Sequence, residues 1–223
     1  MRLIETGRNL GFGVGNNLGI ALALRESARY VLLLNQDAYL PPASLNHLVE
    51  FMERHPQIDI CSPLHCSPDA DHLDAKTFHN YLTRPGLSHL KDAELGRVAE
   101  YYELPGVNAA SWLSRADVFR QVGGFDPIFF MHGEDDDLLN RFTYHKLRFA
   151  LVPAVRGVHL RQSPPSPSVG RWTALQKRAR RKQAQMTLFI KDPKNGTYRS
   201  LAQLLTQPGP AQAASGLRCR PRS

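Results

Sequence analysis

Two groups of carboxylates stand where apolar runs give way to polar residues, and both are of a type that chemistry could use. Asp37 ends the stretch Tyr30-Val-Leu-Leu-Leu-Asn-Gln-Asp37. If the apolar run is a buried strand of an α/β sheet, its carboxyl end is where such sheets take their ligands. A hard divalent cation such as Mg²⁺ or Mn²⁺ needs only one or two protein carboxylates when substrate phosphates complete its shell. Taken alone, an Asp closing a strand is more often a turn former or a helix cap. The second group, Glu134-Asp135-Asp136-Asp137, lies between Phe129-Phe130-Met131 and Leu138-Leu139. Four acids in a row ordinarily mark a solvated helix start, favoured by the helix dipole. Apolar flanks imply partial burial, and a partly buried carboxylate can act as a general base, its pKa raised by desolvation and by like charges. His159 closes a third apolar stretch; imidazole is an ordinary metal ligand, and a lone histidine is as often structural.

A glycine-rich segment, Asn9-Leu-Gly-Phe-Gly-Val-Gly-Asn-Asn-Leu-Gly19, precedes both groups. Gly11 and Gly13 open like a dinucleotide fingerprint, but Asn16 stands where its third glycine belongs, so a nicotinamide-binding reading is rejected. What remains is close approach of the backbone to a nucleotide, or turn geometry alone.

These residues need elements to hold them. Arg2 to Glu5 reads as the end of a strand, followed by the glycine turn and a helix over 17–28. Residues 30–34 predict a strand buried on both faces. Pro41-Pro42 start a helix over about 43–55, and a further strand is expected near 58–62. Residues 65–104 read as irregular loops. Residues 107–114 are small and apolar, 115–122 a short helix, and 138–145 a helical stretch directly after the acid run. Strand-like residues 149–152 and 154–160 are interrupted by Pro153. The alternation is that of an α/β domain over 1–160. A Pro/Ser linker follows over 161–170 and a basic amphipathic helical segment over 171–205. Trp172, Leu175, Ala179, Met186 and Phe189 recur there at near-helical spacing among Lys177, Arg178, Arg180, Arg181 and Lys182. Residues 206–223, rich in Pro, Gly, Ala and Ser, read as a disordered tail.

The chain has 223 residues and a net charge of +8, a length that suits one globular domain and disfavours a disordered chain or a repeat array. The mean charge hides a division. Residues 1–155 hold 14 Lys and Arg against 19 Asp and Glu, whereas residues 156–223 hold 14 against 1. Such a basic block suits nucleic acid, anionic lipid head groups or a phosphorylated substrate, and composition does not choose among them. Three cysteines, Cys61, Cys66 and Cys219, fit no disulfide framework or structural zinc pattern. No apolar run reaches the roughly 18 residues that cross a bilayer, and the first residues do not read as a signal peptide, so the expected location is the cytoplasm.

In order, NLGFGVGNNLGIALA, YVLLLNQDAYLPP, GVNAASWLSRADVFRQVGGFD, FFMHGEDDDLLNR and LVPAVRGVHL resemble the successive motifs of family 2 inverting glycosyltransferases, in particular their rhamnosyltransferase-like branch. The resemblance covers about residues 2–160. It implies a GT-A fold, Rossmann-like and built for nucleotide-diphosphate sugars, with a divalent cation, Mg²⁺ or Mn²⁺, and inversion at the anomeric carbon. Asn35-Gln36-Asp37 takes the place of the family's DxD motif, Asp37 matching its metal-binding carboxylate and Asn35 a nucleotide contact. Glu134-Asp135 resembles the ED pair, with Asp135 matching the base that deprotonates the acceptor. His159 is placed like a histidine that completes metal coordination in some members. By the same resemblance Asn9, Gly11, Gly13 and Asn17 fall on the donor side, and Gly106, Trp112 and Glu134 on the wall between donor and acceptor. Trp112 would offer a flat face to a sugar ring, or else a large core side chain.

The resemblance begins at the family's third strand. The first βα units, with the Asp motif that contacts base and ribose, have no counterpart, which predicts an open strand edge and half a nucleotide pocket. Two functions follow as expectations. One is transfer of a sugar, with rhamnose a candidate, from a nucleotide diphosphate to a growing surface glycan; the other is non-catalytic binding of a sugar nucleotide or glycan. The basic helix would hold such an enzyme peripherally at the inner, anionic face of the cell membrane, near a glycan or lipid-linked acceptor. Nucleic acid is not an expected partner, since no recognised module accompanies the charge.

Overall fold

Apolar side chains project from both faces of a mixed sheet, and helices cover each face. The computed structural model describes residues 3–69, 71–74, 87–130, 132–160 and 174–191. In chain order these form α1 (Phe12–Arg25), β1 (Tyr30–Leu34), β2 (Ala38–Tyr39), α2 (Ser44–Arg54), β3 (Ile60–Cys66), α3 (Leu87–Glu94), β4 (Tyr102–Leu104), β5 (Ser111–Arg115), α4 (Ala116–Val122), α5 (Glu134–Tyr144), β6 (Phe149–His159) and α6 (Ala174–Lys191).

The strands run in the order β1-β5-β3-β6-β2, with β4 also on β6. β5 is antiparallel to both β1 and β3, and β3 is parallel to β6. The carboxyl ends of β1, β3 and β6 therefore share one edge of the sheet, where α/β proteins bind ligands. β6 is long enough to serve two partners on its outer side, β4 at Phe149–Leu151 and β2 at Val158–His159. β1 lies at one end of the sheet, paired with β5 alone among the described residues.

One face packs Val31, Leu33, Ile60, Trp112, Phe149 and Leu151 against α1, α4 and α5, which contribute Ile20, Phe119, Leu138 and Phe142. The other packs Cys61, Leu113, Ala150 and Val152 against α2. The sequence of α2 explains its seat, because Leu48, Phe51 and Met52 fall at i, i+3 and i+4 and are all buried. Cys61 belongs to this core, and burial pushes its thiol pKa up, which leaves it unreactive.

Several expectations needed correction. Residues 3–5 are irregular rather than a strand. α1 starts at Phe12 with Gly11 as its N-cap, so Phe12 to Gly19 of the glycine segment are the first turns of the helix and not a turn before it. Glycine costs a helix about 1 kcal/mol per residue, and the packing described below offsets that. The strand expected near 58–62 runs from Ile60 to Cys66, and the supposedly irregular 65–104 includes α3 and β4. Pro153 does not divide β6. Pro63 pairs with Val152 and Leu64 with Arg156, so the proline falls within a bulge that asks no ladder hydrogen bond of it. The acids expected before a helix are themselves its first turn. α6 falls within the basic segment expected from sequence, while Trp172, the linker over 161–170 and the tail over 206–223 lie outside the described residues.

Candidate active site

At the shared carboxyl edge, the chain leaves β1 through Asn35-Gln36-Asp37, turns with Ala38 N donating to Asn35 O at 3.0 Å, and joins the end of β6 as β2. Ala38 lies opposite His159 in that ladder, and Leu160 N donates to Asp37 O at 2.8 Å. Main-chain bonds thus fix the two residues side by side. Asp37 Oδ1 and His159 Nε2 are 3.3 Å apart, with side chains 14% and 8% exposed. Asn35 Oδ1 is buried without a hydrogen-bond partner, an acceptor left for a donating ligand. His65, which sequence reasoning passed over, is buried at the end of β3 with its ring 6.5 Å from that of His159. Its signal was a histidine at the carboxyl end of a strand, obscured because the region after it read as loop.

This donor set suits a divalent cation. A carboxylate oxygen and an imidazole nitrogen within reach of one ion are acceptable to Mn²⁺ and, with fewer protein ligands, to Mg²⁺. Among the described residues no group of three His, Cys, Asp or Glu is placed to hold a metal, so a cation on this pair would draw its other ligands from phosphate oxygens and water.

The acid run lies on a different element. Gly133, at φ 96°, is the N-cap of α5, and Glu134 to Asp137 fill its first turn. Asp135 is half-buried, and its Oδ1 accepts from Asp136 N at 3.0 Å. Glu134 is 6% exposed, and its Oε2 is buried without a partner. Burial, reinforced by the Asp135 and Asp136 carboxylates, raises its pKa to about 7. The rise that the sequence suggested for a carboxylate in this run is found on Glu134. Asp137 is buried beside Arg141, whose Nε donates to it at 2.9 Å. A single loop touches both halves of the site. Gly106 packs on Leu139 of α5, where a Cβ would come within 2.6 Å of Leu139 Cδ2, and Ala110 O accepts from Asn35 N at 3.0 Å.

The remaining sequence candidates have clear structural work. Gly11 has φ 78°, and a Cβ there would be driven into the Phe130 carbonyl; one at Gly13 would lie 2.9 Å from Phe125 Cβ and 3.7 Å from Glu134 Cβ. These glycines let α1 press against the segment that leads into the acid run. Asn17 Nδ2 donates to Phe125 O, and Phe125 N donates to Asn17 Oδ1, both at 2.8 Å, so both ends of that amide are engaged by one residue's main chain. Asn9 Oδ1 accepts from Gly11 N at 2.8 Å, which shapes the entry to α1. Trp112 is 1% exposed, donates from Nε1 to Val107 O at 3.1 Å and packs near Phe142. Of its two readings, the core one describes its place.

The chain belongs to glycosyl transferase family group 2, whose model matches residues 30–206, which makes it a transferase of sugars by family. It is 28% identical over 221 residues to the N-acetylglucosaminyl-diphospho-decaprenol L-rhamnosyltransferase of Mycobacterium tuberculosis, covering 90% of this chain and 70% of that protein. Rhamnosyltransferase WbbL of Escherichia coli (strain K12) is 27% identical over 168 residues, 67% of this chain and 60% of its own. Among solved structures, S. aureus TarS in complex with UDP-GlcNAc aligns over 84% of this chain with a TM-score of 0.53 and 12% identity. GalNAc-T7 with UDP, GalNAc and Mn²⁺ aligns over 71% with a TM-score of 0.51 and 14% identity. The fold is accordingly GT-A-like and α/β. The aligned part is 48% of the first of those chains and 32% of the second.

Proposed function

We propose that this chain transfers a sugar, rhamnose first among the candidates, from a nucleotide diphosphate to a lipid-linked acceptor that goes on to become surface glycan. The names of its relatives favour rhamnose and a polyprenyl-diphosphate acceptor. The observation that carries the mechanism is the pair of partly buried Asp37 and buried His159, 3.3 Å apart at the carboxyl edge. In this reading those two side chains hold a divalent cation, and Asn35 contacts the nucleotide. Such an ion, when bound, neutralises charge that builds on the departing diphosphate. Asp135 takes the proton of the acceptor hydroxyl as its oxygen bonds to the anomeric carbon. The bond from that carbon to the diphosphate breaks on the opposite face, the diphosphate leaves with the electron pair, and configuration inverts. Glu134 and the 106–110 loop line the acceptor side. Gly11, Gly13, Asn17 and Asn9 serve this site indirectly, by shaping the contact of α1 with the segment before α5.

The basic helical segment would keep the enzyme at the cytoplasmic, anionic surface where lipid-linked acceptors lie. No helix of the described residues is long and apolar enough to cross a membrane. The test is transfer from nucleotide-diphosphate rhamnose to polyprenyl-diphosphate N-acetylglucosamine, with Mg²⁺ or Mn²⁺ and with chelator. The product should carry the inverted anomeric configuration by NMR, and chelator should abolish its formation. Retained configuration would overturn the mechanism, and tight nucleotide binding without any product would favour a binding protein instead.

A further inference from the structure

The C-terminal helix α6 meets the rest of the molecule at the segment that leads into the acid run. Ala184, 8% exposed, faces Gly133, where an added Cβ would come within 3.2 Å of Ala184 Cβ. Seven residues on, two turns along the same helical face, Lys191 Nζ lies 2.8 Å from Asp137 Oδ1. It also pairs with Asp126 Oδ2 and stands 5.4 Å from the centroid of the Phe129 ring. A single ammonium therefore joins the two ends of the stretch 126–137, and Asp135 lies within that stretch.

We propose that Lys191 is a positioning residue, clamping segment 126–137 so that Asp135 is presented to the acceptor; the role in transfer rests on the function proposed above. Electrostatics favour the clamp. Asp137 has a side chain only 3% exposed, and a buried carboxylate is stable only when its charge is matched. Arg141 supplies one partner, but it lies on the same helix and turns its other nitrogens to Val122 O and Gly124 O. It ties α5 to the end of α4. Lys191 pairs with Asp126 and with Asp137 at once. Burial by itself would raise the Asp126 carboxyl pKa, yet the bonds from Lys191 and from Ile128 N hold it below the usual carboxylate range. Asp126 thus faces the ammonium in the charged form. The consequence for the domain plan is that α6 belongs to the transfer machinery, so a chain ending before it would keep the metal-side pair and lose the placement of the base.

The test compares Lys191→Met, which keeps the apolar stem, and Lys191→Arg with the unaltered full chain. Amide hydrogen exchange is read at 127–137 and at β3 as an internal standard. In Lys191→Met, exchange at 127–137 should quicken about tenfold with β3 unchanged, and Lys191→Arg should restore it. Transfer kcat should fall about ten- to a hundredfold in Lys191→Met with the donor KM held within about twofold, as expected when only placement of the base is lost. Unchanged exchange at 127–137 would overturn the clamp. Quickening in β3 as well would show a general stabilising residue and overturn it too, and quickened exchange with unaltered kcat would remove its link to Asp135. If the unaltered chain transfers no sugar, the function proposed above fails, and the exchange arm still decides the clamp.

Discussion

The two halves of the candidate site are built in different ways. Asp37 and His159 are joined by a strand ladder and by Leu160 N donating to Asp37 O; their side chains meet because their main chains do. The acid turn of α5 owes its place to groups far away in the chain: Gly11 beneath the Phe130 carbonyl, Asn17 on Phe125, and Lys191 across Asp126 and Asp137. A ladder bond survives most side-chain changes, whereas a seat made of side-chain contacts is lost one residue at a time. The Asp37–His159 side should therefore behave as a rigid platform and the acid turn as an adjustable one, which under the function proposed above would suit a fixed diphosphate and acceptors that arrive and leave.

The sharpest way to separate the halves is to remove one carboxylate from each. Asp135→Asn should lower kcat by about 10²- to 10⁴-fold, the usual contribution of a positioned base, while Mn²⁺-dependent binding of a nucleoside diphosphate by calorimetry stays as it was. Asp37→Asn should do the reverse to binding, weakening it by about 10- to 100-fold with activity falling in consequence. Were Asp135→Asn to keep its kcat within about tenfold of the unaltered chain, Asp135 could not be the base.

The same contrast explains what could be read from the sequence. β1, α2 and the place of Asp37 just past β1 were legible because their signals are local: five apolar residues ending in a polar triplet, two prolines before an amphipathic helix. His159 was found as the end of an apolar run, although Pro153 hid the continuity of β6, since the bulge that absorbs it depends on the partner strand β3. The glycine segment was misjudged for the same reason. Its helix is stabilised by Phe125, Phe130 and Glu134, more than a hundred positions away, and local propensity speaks against it. Trp112 was left between core and wall because an aromatic flanked by small residues suits both. Lys191 carried no signal at all, being one cation among many in a basic segment.

Glycine substitutions test the base side at its foundation. Gly11→Ala demands a left-handed φ of an L-residue and drives a methyl into the Phe130 carbonyl. Strain and overpacking together should cost about 3 kcal/mol, a fall in Tm of roughly 6–12 °C for a chain of this size, with lost transfer activity at temperatures well below the new Tm. Gly15 lies in the same helix, and a methyl added there would meet nothing within 4 Å, so Gly15→Ala should instead stabilise by about 0.5–1 kcal/mol. Equal gains at the two positions would mean that helix propensity, rather than the contact with the acid loop, governs the segment.

The smallest effect concerns Glu134, whose charge the fold resists. Its pKa of about 7 in the folded chain exceeds the ordinary 4.5, so between those values the native state holds a proton that the unfolded state has released. The linkage has one sign: this group leaves stability untouched below about pH 4.5 and lowers it progressively as pH rises through 7. Glu134→Gln carries no charge to bury. It should match the unaltered chain near pH 4.5 and exceed it above pH 7 by about 2 kcal/mol, after allowing for solvent that reaches the site. In melting curves the gap should open to roughly 4–8 °C at pH 8. A gap independent of pH would show that the carboxyl ionises as freely in the fold as outside it, and the orphaned Oε2 would then have to be solvated. The unaltered chain supplies the control, because any general effect of pH on the sheet would shift both proteins together and leave their difference unmoved.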